Sequence, residues 1–227
     1  SISEGLDASE LSDLINQYLT PMTRIVHVTK GTIDKYIGDA VMAFWGAPLR
    51  DTHHAARAVG AGMEMLAALD TLNAEFQKKG WPHIAIGVGI NTGPMNVGNM
   101  GSEFRQAYTV MGDAVNLGSR LEGLTKSYGV AFIVSEFTRW AAPEFFYREL
   151  DRVRVKGKAE PVTIYEPLGM KDQLAPQVIE DAKLFENALR HYRNQNWDET
   201  EKILQELLVI EPDSFLFKLY LERIVIF

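Results

Sequence analysis

Thr32-Ile-Asp-Lys35-Tyr-Ile-Gly38-Asp39-Ala-Val-Met-Ala-Phe-Trp-Gly46 is two strand-like runs, 32–37 and 40–46, around a Gly-Asp turn. Aromatic and β-branched residues on either side of such a turn predict a β-hairpin. The hairpin carries an amine, Lys35, and a carboxylate, Asp39, at either end of its turn. A second stretch, Tyr108-Thr109-Val-Met-Gly-Asp-Ala-Val-Asn116-Leu-Gly-Ser-Arg120, reads as a short strand passing into a helix. It delivers a hydroxyl, an amide and a guanidinium along one passage. Together the two stretches supply groups suited to the base, metal, ribose and phosphates of one nucleotide.

The surrounding pattern predicts a mixed α+β domain. Asp7-Ala-Ser-Glu10 has the form of a capping box. Leu11, Leu14, Ile15, Tyr18, Leu19, Met22, Ile25 and Val26 follow at three- and four-residue spacing, so 8–30 reads as helix. Pro21 is expected to kink or split it, and Gly31 to end it. A second helix is expected over 52–79, stopped by Gly80. Ile84, Ile86, Val88 and Ile90 alternate with Ala85, Gly87 and Gly89, which predicts a strand with one face of small residues. The Gly-rich 92–102 predicts a turn and a further strand. Asp113 is placed as the cap of a helix to about Tyr128. Strands are predicted at 130–134, 153–156 and 162–165, the last two forming a closing hairpin. Helices are expected on one face of the sheet.

After Gly169 the texture becomes helical. Tyr192-Arg-Asn-Gln-Asn-Trp197-Asp-Glu-Thr200, with Leu204, Leu207 and Pro212 beyond, resembles one tetratricopeptide unit. Thr200 stands where that unit usually has a smaller residue. A single unit cannot bury its own apolar face, so it is expected to dock on the preceding region, meet a partner, or continue into further repeats. The expected division is therefore 1–169 and 170–227.

Bulk composition narrows the function classes. Of 227 residues, 46% are hydrophobic and 23% charged, and the net charge is −7. That is ordinary for a globular chain and gives no basic footprint for nucleic acid. Zero cysteines exclude disulfides, thiolate metal sites and cysteine nucleophiles. No apolar run is long enough to span a bilayer. The N-terminal Ser-Ile-Ser-Glu has no leader pattern, so the chain reads as part of a longer protein, with a cytoplasmic location and a parent that an upstream region could anchor to a membrane.

Each candidate group has an ordinary explanation taken singly. Gly-Asp turns form for local reasons. Lys35 suits a solvated strand, Thr109 suits any strand, and Asn116 and Arg120 suit a solvated helix face. Lys156, beside Gly157, suits an edge strand. The spacing argues otherwise. Asn116 and Arg120, four apart, share one helix face near an N-terminus whose N–H groups favour anions.

The stretches 34–48, 108–122 and Val155-Lys156-Gly157-Lys158 resemble the motifs of class III nucleotidyl cyclase catalytic domains, and the resemblance extends over about residues 1–169. It implies a ferredoxin-like βαββαβ core with added elements. It further implies a homodimer, paired head to tail, with active sites shared across the interface. It implies ATP as substrate, cyclic AMP and pyrophosphate as products, and two divalent metal ions, Mg or Mn. Asp39 would be one of two metal-binding aspartates. Lys35 and Thr109 match the purine-reading positions. Lys is the adenylyl type, and Thr marks a bacterial-type subclass; guanylyl cyclases usually carry an acidic residue and Cys there. Asn116 would orient the ribose and Arg120 would stabilise charge on the reacting phosphate. Lys156 would contact the terminal phosphates, although the motif allows Lys158. The first metal aspartate lies in a segment that precedes a Ser-Glu pair in the family. Ser3-Glu4 resembles that pair, so the aspartate is expected upstream of Ser1.

Two other readings compete. One is a catalytically inactive cyclase-like module that binds nucleotide or a partner. The other is a diguanylate cyclase or palm-type polymerase, against which stand the lack of a Gly-Gly-Asp-Glu-Phe turn and the presence of Lys35 and Thr109. The helical region beyond residue 169 is left with an unidentified protein partner.

Overall fold

The computed structural model describes residues 6–154 and 160–225. Asp7 accepts from the backbone N–H groups of Ser9 and Glu10, each at 2.8 Å, and Glu10 accepts from Asp7 N–H at 3.2 Å. This reciprocal cap starts α1 (Ala8–Val28). The helix continues through Pro21 without a break, against the expectation of a split. Leu14, Tyr18, Met22 and Val26, one turn apart, are its buried face. Leu14, Tyr18 and Met22 pack with Leu69 and Phe76 of α2 (His54–Lys78) and with Ile84.

The expected hairpin forms: β1 (Thr32–Ile37) pairs antiparallel with β2 (Ala40–Phe44). Gly38, at φ 63°, takes the left-handed turn position that a side chain would resist. The strand expected over 84–90 is shorter, β3 (Val88–Ile90). At Ile84 the reason lies in Asn73 of α2, whose buried amide donates to the Ile84 carbonyl and accepts from the Ile84 N–H, both at 2.8 Å. Those bonds occupy the backbone groups that a strand ladder would use. β4 (Asn96–Ser102) and β5 (Arg105–Met111) form a second antiparallel hairpin.

α3 (Asp113–Tyr128) follows. Its first hydrogen bonds run from Val115 and Asn116 N–H to the Gly112 carbonyl, at 3.1 and 3.2 Å. Gly112 is thus the cap, and Asp113 sits one position inside it, where a carboxylate still favours the helix N-terminus. Then come β6 (Phe132–Ser135), α4 (Glu136–Ala141), β7 (Phe145–Val153) and β8 (Val162–Met170). The order β3-β6-β8-β7 makes a four-stranded sheet, with β3 parallel to β6 and β8 antiparallel to both neighbours. α4 and all of β7 before Val153 are additions to the sequence reading, which begins that strand at Val153. The small face at 85–89 has a purpose here: a Cβ at Gly89 would lie 2.1 Å from the Glu122 backbone nitrogen. Only glycine lets α3 approach β3 so closely.

The last three helices are α5 (Pro176–Arg193), α6 (Trp197–Ile210) and α7 (Phe215–Val225). They share one hydrophobic core with the preceding elements: Phe185, Leu204 and Tyr220 cluster with Leu121, Leu150 and Ile164. The Tyr220 hydroxyl donates to the Leu150 carbonyl at 2.7 Å. Thr200 is buried, and its hydroxyl is satisfied by the Asn196 carbonyl at 2.8 Å. By contact the chain falls into two compact units. One runs to Ile86 and takes in Thr92–Asn116; the other comprises Gly87–Asn91 and the chain from Leu117 onward. Among the described residues no helix is long and apolar enough to cross a membrane.

Candidate active site

The first unit gathers the base-reading candidates around a residue that is not among the sequence candidates, Asp34. The pairing of β1 with β2 steps from Ile33 opposite Ala43 to Lys35 opposite Met42. Asp34 is therefore the extra residue of a β-bulge. A bulge breaks the alternation of a strand and re-aims a side chain. The Asp34 side chain is fully covered. Its Oδ2 accepts from the Thr109 hydroxyl at 2.6 Å and from the Val110 N–H at 3.0 Å. Its Oδ1 lies 3.2 Å from Nζ of Lys35. One carboxylate thus ties the β1–β2 hairpin to β5 and touches both Lys35 and Thr109.

Burial pushes the Asp34 carboxyl pKa upward. The Thr109 hydroxyl, the Val110 N–H and the Lys35 ammonium outweigh it, and the pKa is held below the ordinary carboxylate value. Asp34 is thus an anion at neutral pH. Thr109 is buried, while Lys35 keeps half of its side chain in solvent.

Asp39 is exposed in the turn after Gly38. Its charge reaches Tyr18 of α1, whose hydroxyl is pushed above the ordinary phenol value by burial first and by Asp39 second. Asn116 stands exposed in the first turn of α3, and Arg120, half-buried, stands one turn further on the same helix. Lys156 and Lys158 lie outside the described residues. The structure therefore brings Lys35 and Thr109 together through Asp34 and puts Asn116 and Arg120 on one helix.

Among the described residues no group of three or more His, Asp or Glu side chains could hold a metal ion. Asp39 is one hard oxygen donor of the kind that Mg and Mn take. It fits one ligand of such a site and does not by itself complete one.

The family model for the adenylate and guanylate cyclase catalytic domain matches residues 1–166. The chain belongs to that family. Among the cyclases most similar to it is the adenylate cyclase of Anabaena cylindrica, 40% identical over 174 residues, which are 73% of this chain and 34% of that protein. The chain thus spans about a third of that relative's length. Among solved structures, the adenylyl cyclase CyaB from P. aeruginosa is 35% identical, with a TM-score of 0.70 over 77% of this chain and 90% of that one. The guanylyl cyclase Cya2 is also 35% identical, with a TM-score of 0.69 over 76% and 87%. Both structures share this chain's mixed α+β fold. These two solved structures, one an adenylyl and one a guanylyl cyclase, are equally identical to this chain, so that comparison leaves the choice of base to individual residues.

Proposed function

We propose that this cyclase domain converts ATP to cyclic AMP and pyrophosphate, for signalling in the cytoplasm. The observation that carries the reading is the cluster of Lys35, Asp34 and Thr109. A lysine ammonium donates to N1 of adenine, an acceptor, whereas guanine presents an N–H there. Thr109 accepts from the 6-amino group, which guanine replaces with a carbonyl. A site that hydrogen-bonds one edge rejects the analogue, because buried polar groups are left unpaired. The Thr at this position assigns the chain to the bacterial-type subclass.

In the reaction the ribose 3′-oxygen bonds to the α-phosphorus and the bond from that phosphorus to the β-phosphate oxygen breaks. Pyrophosphate and the hydroxyl proton are released. Asn116 orients the ribose, which contributes through proximity. Arg120 meets charge developing on the α-phosphate, and Lys156 meets the terminal phosphates. One such preorganised donor contributes about 3–4 kcal/mol of barrier lowering. Two divalent ions, Mg or Mn, with Asp39 as one ligand, would lower the cost of activating the attacking oxygen and stabilise the leaving one.

The domain acts as a homodimer with its sites shared between chains. In support, Tyr36 and Ile37 on β1 and Phe104 and Met111 on the β4–β5 hairpin are exposed apolar groups of the kind that mark interaction surfaces. The core, about residues 1–169, is of ferredoxin-like type. Residues 170–227 form a tetratricopeptide-like helical extension, supported by the α5–α6 pair around the Asn194–Asn196 turn and the edge contact of Tyr192 on Trp197; exposed Val209 and Phe215 are where a protein partner would meet it.

The test is cyclic nucleotide formation by the full-length protein at equal ATP and GTP. Cyclic AMP should dominate. Lys35→Glu with Thr109→Cys should erode that preference; preference for GTP in the unaltered protein overturns the assignment.

A further inference from the structure

A threonine hydroxyl both donates and accepts. Alone it would pair as readily with the 6-carbonyl of guanine as with the 6-amino group of adenine, so Thr109 by itself does not choose. In this structure its hydrogen is already committed. The Thr109 hydroxyl donates to Asp34 Oδ2 at 2.6 Å, a short, charge-assisted bond. The same oxygen accepts from Val110 N–H, and a carboxylate anion has no hydrogen to give back. Thr109 is left with lone pairs only. The other Asp34 oxygen lies 3.2 Å from the Lys35 ammonium, whose side chain is half exposed.

We infer that Asp34 is the positioning residue that sets base choice: by taking the Thr109 hydrogen it makes the hydroxyl an obligate acceptor, which selects a 6-amino over a 6-oxo purine. The inference rests on Lys35 and Thr109 being the purine-reading pair. The bulge at Asp34 is the device that makes it possible. With regular alternation, Asp34 and Lys35 would point to opposite faces of β1.

Asp34→Asn keeps the size and replaces one oxygen by an N–H donor, which can free the threonine hydrogen. The experiment measures kcat/KM for ATP and GTP in the full-length protein and in Asp34→Asn, Thr109→Ala, their combination, and Lys35→Ala. Displacement of a fluorescent nucleotide by ATP or GTP gives the same comparison without turnover. Asp34→Asn should lower the ATP-to-GTP ratio about tenfold or more, the scale of one mispaired buried hydrogen bond. In the Thr109→Ala background it should lower the ratio no further, because its effect passes through the hydroxyl. A loss equal for both nucleotides would mean that Asp34 only fastens two hairpins together, and overturns the inference. So does a ratio change that persists without Thr109. Lys35→Ala separates the underlying reading. If neither Lys35→Ala nor Thr109→Ala moves the ratio, the purine-reading pair itself is wrong. If those two move it and Asp34→Asn does not, only the role of Asp34 falls.

Should Asp34→Asn fail to fold, the unaltered protein still decides. The 6-methoxypurine nucleoside triphosphate keeps the N1 acceptor for Lys35 but offers an oxygen acceptor at position 6. A locked Thr109 should take it no better than the triphosphate of unsubstituted purine riboside. Binding of the methoxy compound as tight as that of ATP overturns the inference.

Discussion

Reversing the charge at residue 35 should cost folding stability as well as base preference, and the size of the loss follows from Asp34. Nζ of Lys35 lies 3.2 Å from a fully covered carboxylate oxygen. Two unit charges near 4 Å interact by about 4 kcal/mol at the effective dielectric of a protein surface. Lys35 is half in solvent, so screening and side-chain entropy reduce the net attraction to about 1 kcal/mol. Lys35→Glu removes that attraction and adds a repulsion of similar size. It should therefore destabilise by about 2 kcal/mol at neutral pH, and Lys35→Gln by about 1. The pH dependence has a definite sign. The Asp34 pKa is lowered in the folded state, so its contribution is present above the unfolded carboxylate value and fades as pH falls through the folded one. Lys35→Glu weakens that depression. Its deficit relative to the unaltered protein should shrink as the buffer is taken from neutral toward the acid limb. Urea unfolding of the three proteins across that range is the assay. Equal stability of Lys35→Glu and Lys35→Gln at neutral pH would refute the electrostatic reasoning.

Two further perturbations test other parts of the molecule. Asp39→Ala in the full-length protein should leave less than about a tenth of the turnover, the scale expected of a lost metal ligand. Lys35 and Asp39 sit in one hairpin, yet the proposed shared-site dimer, in which each site takes its metal aspartate from one chain and its purine readers and Arg120 from the other, places them in different sites. Mixing Asp39→Ala chains with Arg120→Ala chains should therefore restore activity through the one intact site, and proven heterodimers that stay inactive would sink the shared-site model. Tyr220→Phe keeps the ring contacts with Phe185 and Tyr192 but strips the buried Leu150 carbonyl of its donor. It should cost about 1–3 kcal/mol in chemical denaturation, and a change within error would mean that α7 is not fastened to β7 through this bond.

What the sequence disclosed of the fold was what local chemistry decides. The Asp7–Glu10 cap, the four-residue spacing from Leu14 to Val26 and the Gly38-Asp39 turn each act over a few residues, and each appears in the structure. The misreadings lie where a distant group intervenes. Ile84 alternates like a strand residue, but Asn73, eleven positions earlier, takes its backbone bonds. The start of β7, Phe145–Leu150, carries charged residues among aromatics and has no clean alternation. It becomes a strand because β8 is there to pair with it, through a ladder with two register shifts. Periodicity cannot report a partner that arrives from elsewhere in the chain.

The site divides in the same way. Lys35, Asp39, Thr109, Asn116 and Arg120 could be proposed as candidates because their spacing on short elements is fixed by the chain itself. Asp34 was printed beside Lys35 all along. A strict strand would send neighbouring side chains to opposite faces, so a reading by alternation parts the two residues. The bulge reverses that, and a bulge depends on how β1 registers against β2, a relation between two strands. The carboxylate it re-aims meets Thr109, seventy-five residues away. If Lys35 and Thr109 are the purine readers, the proposed base choice is written in a contact between two hairpins: spacing along the chain places the two residues, and the fold sets the direction in which Thr109 can hydrogen-bond.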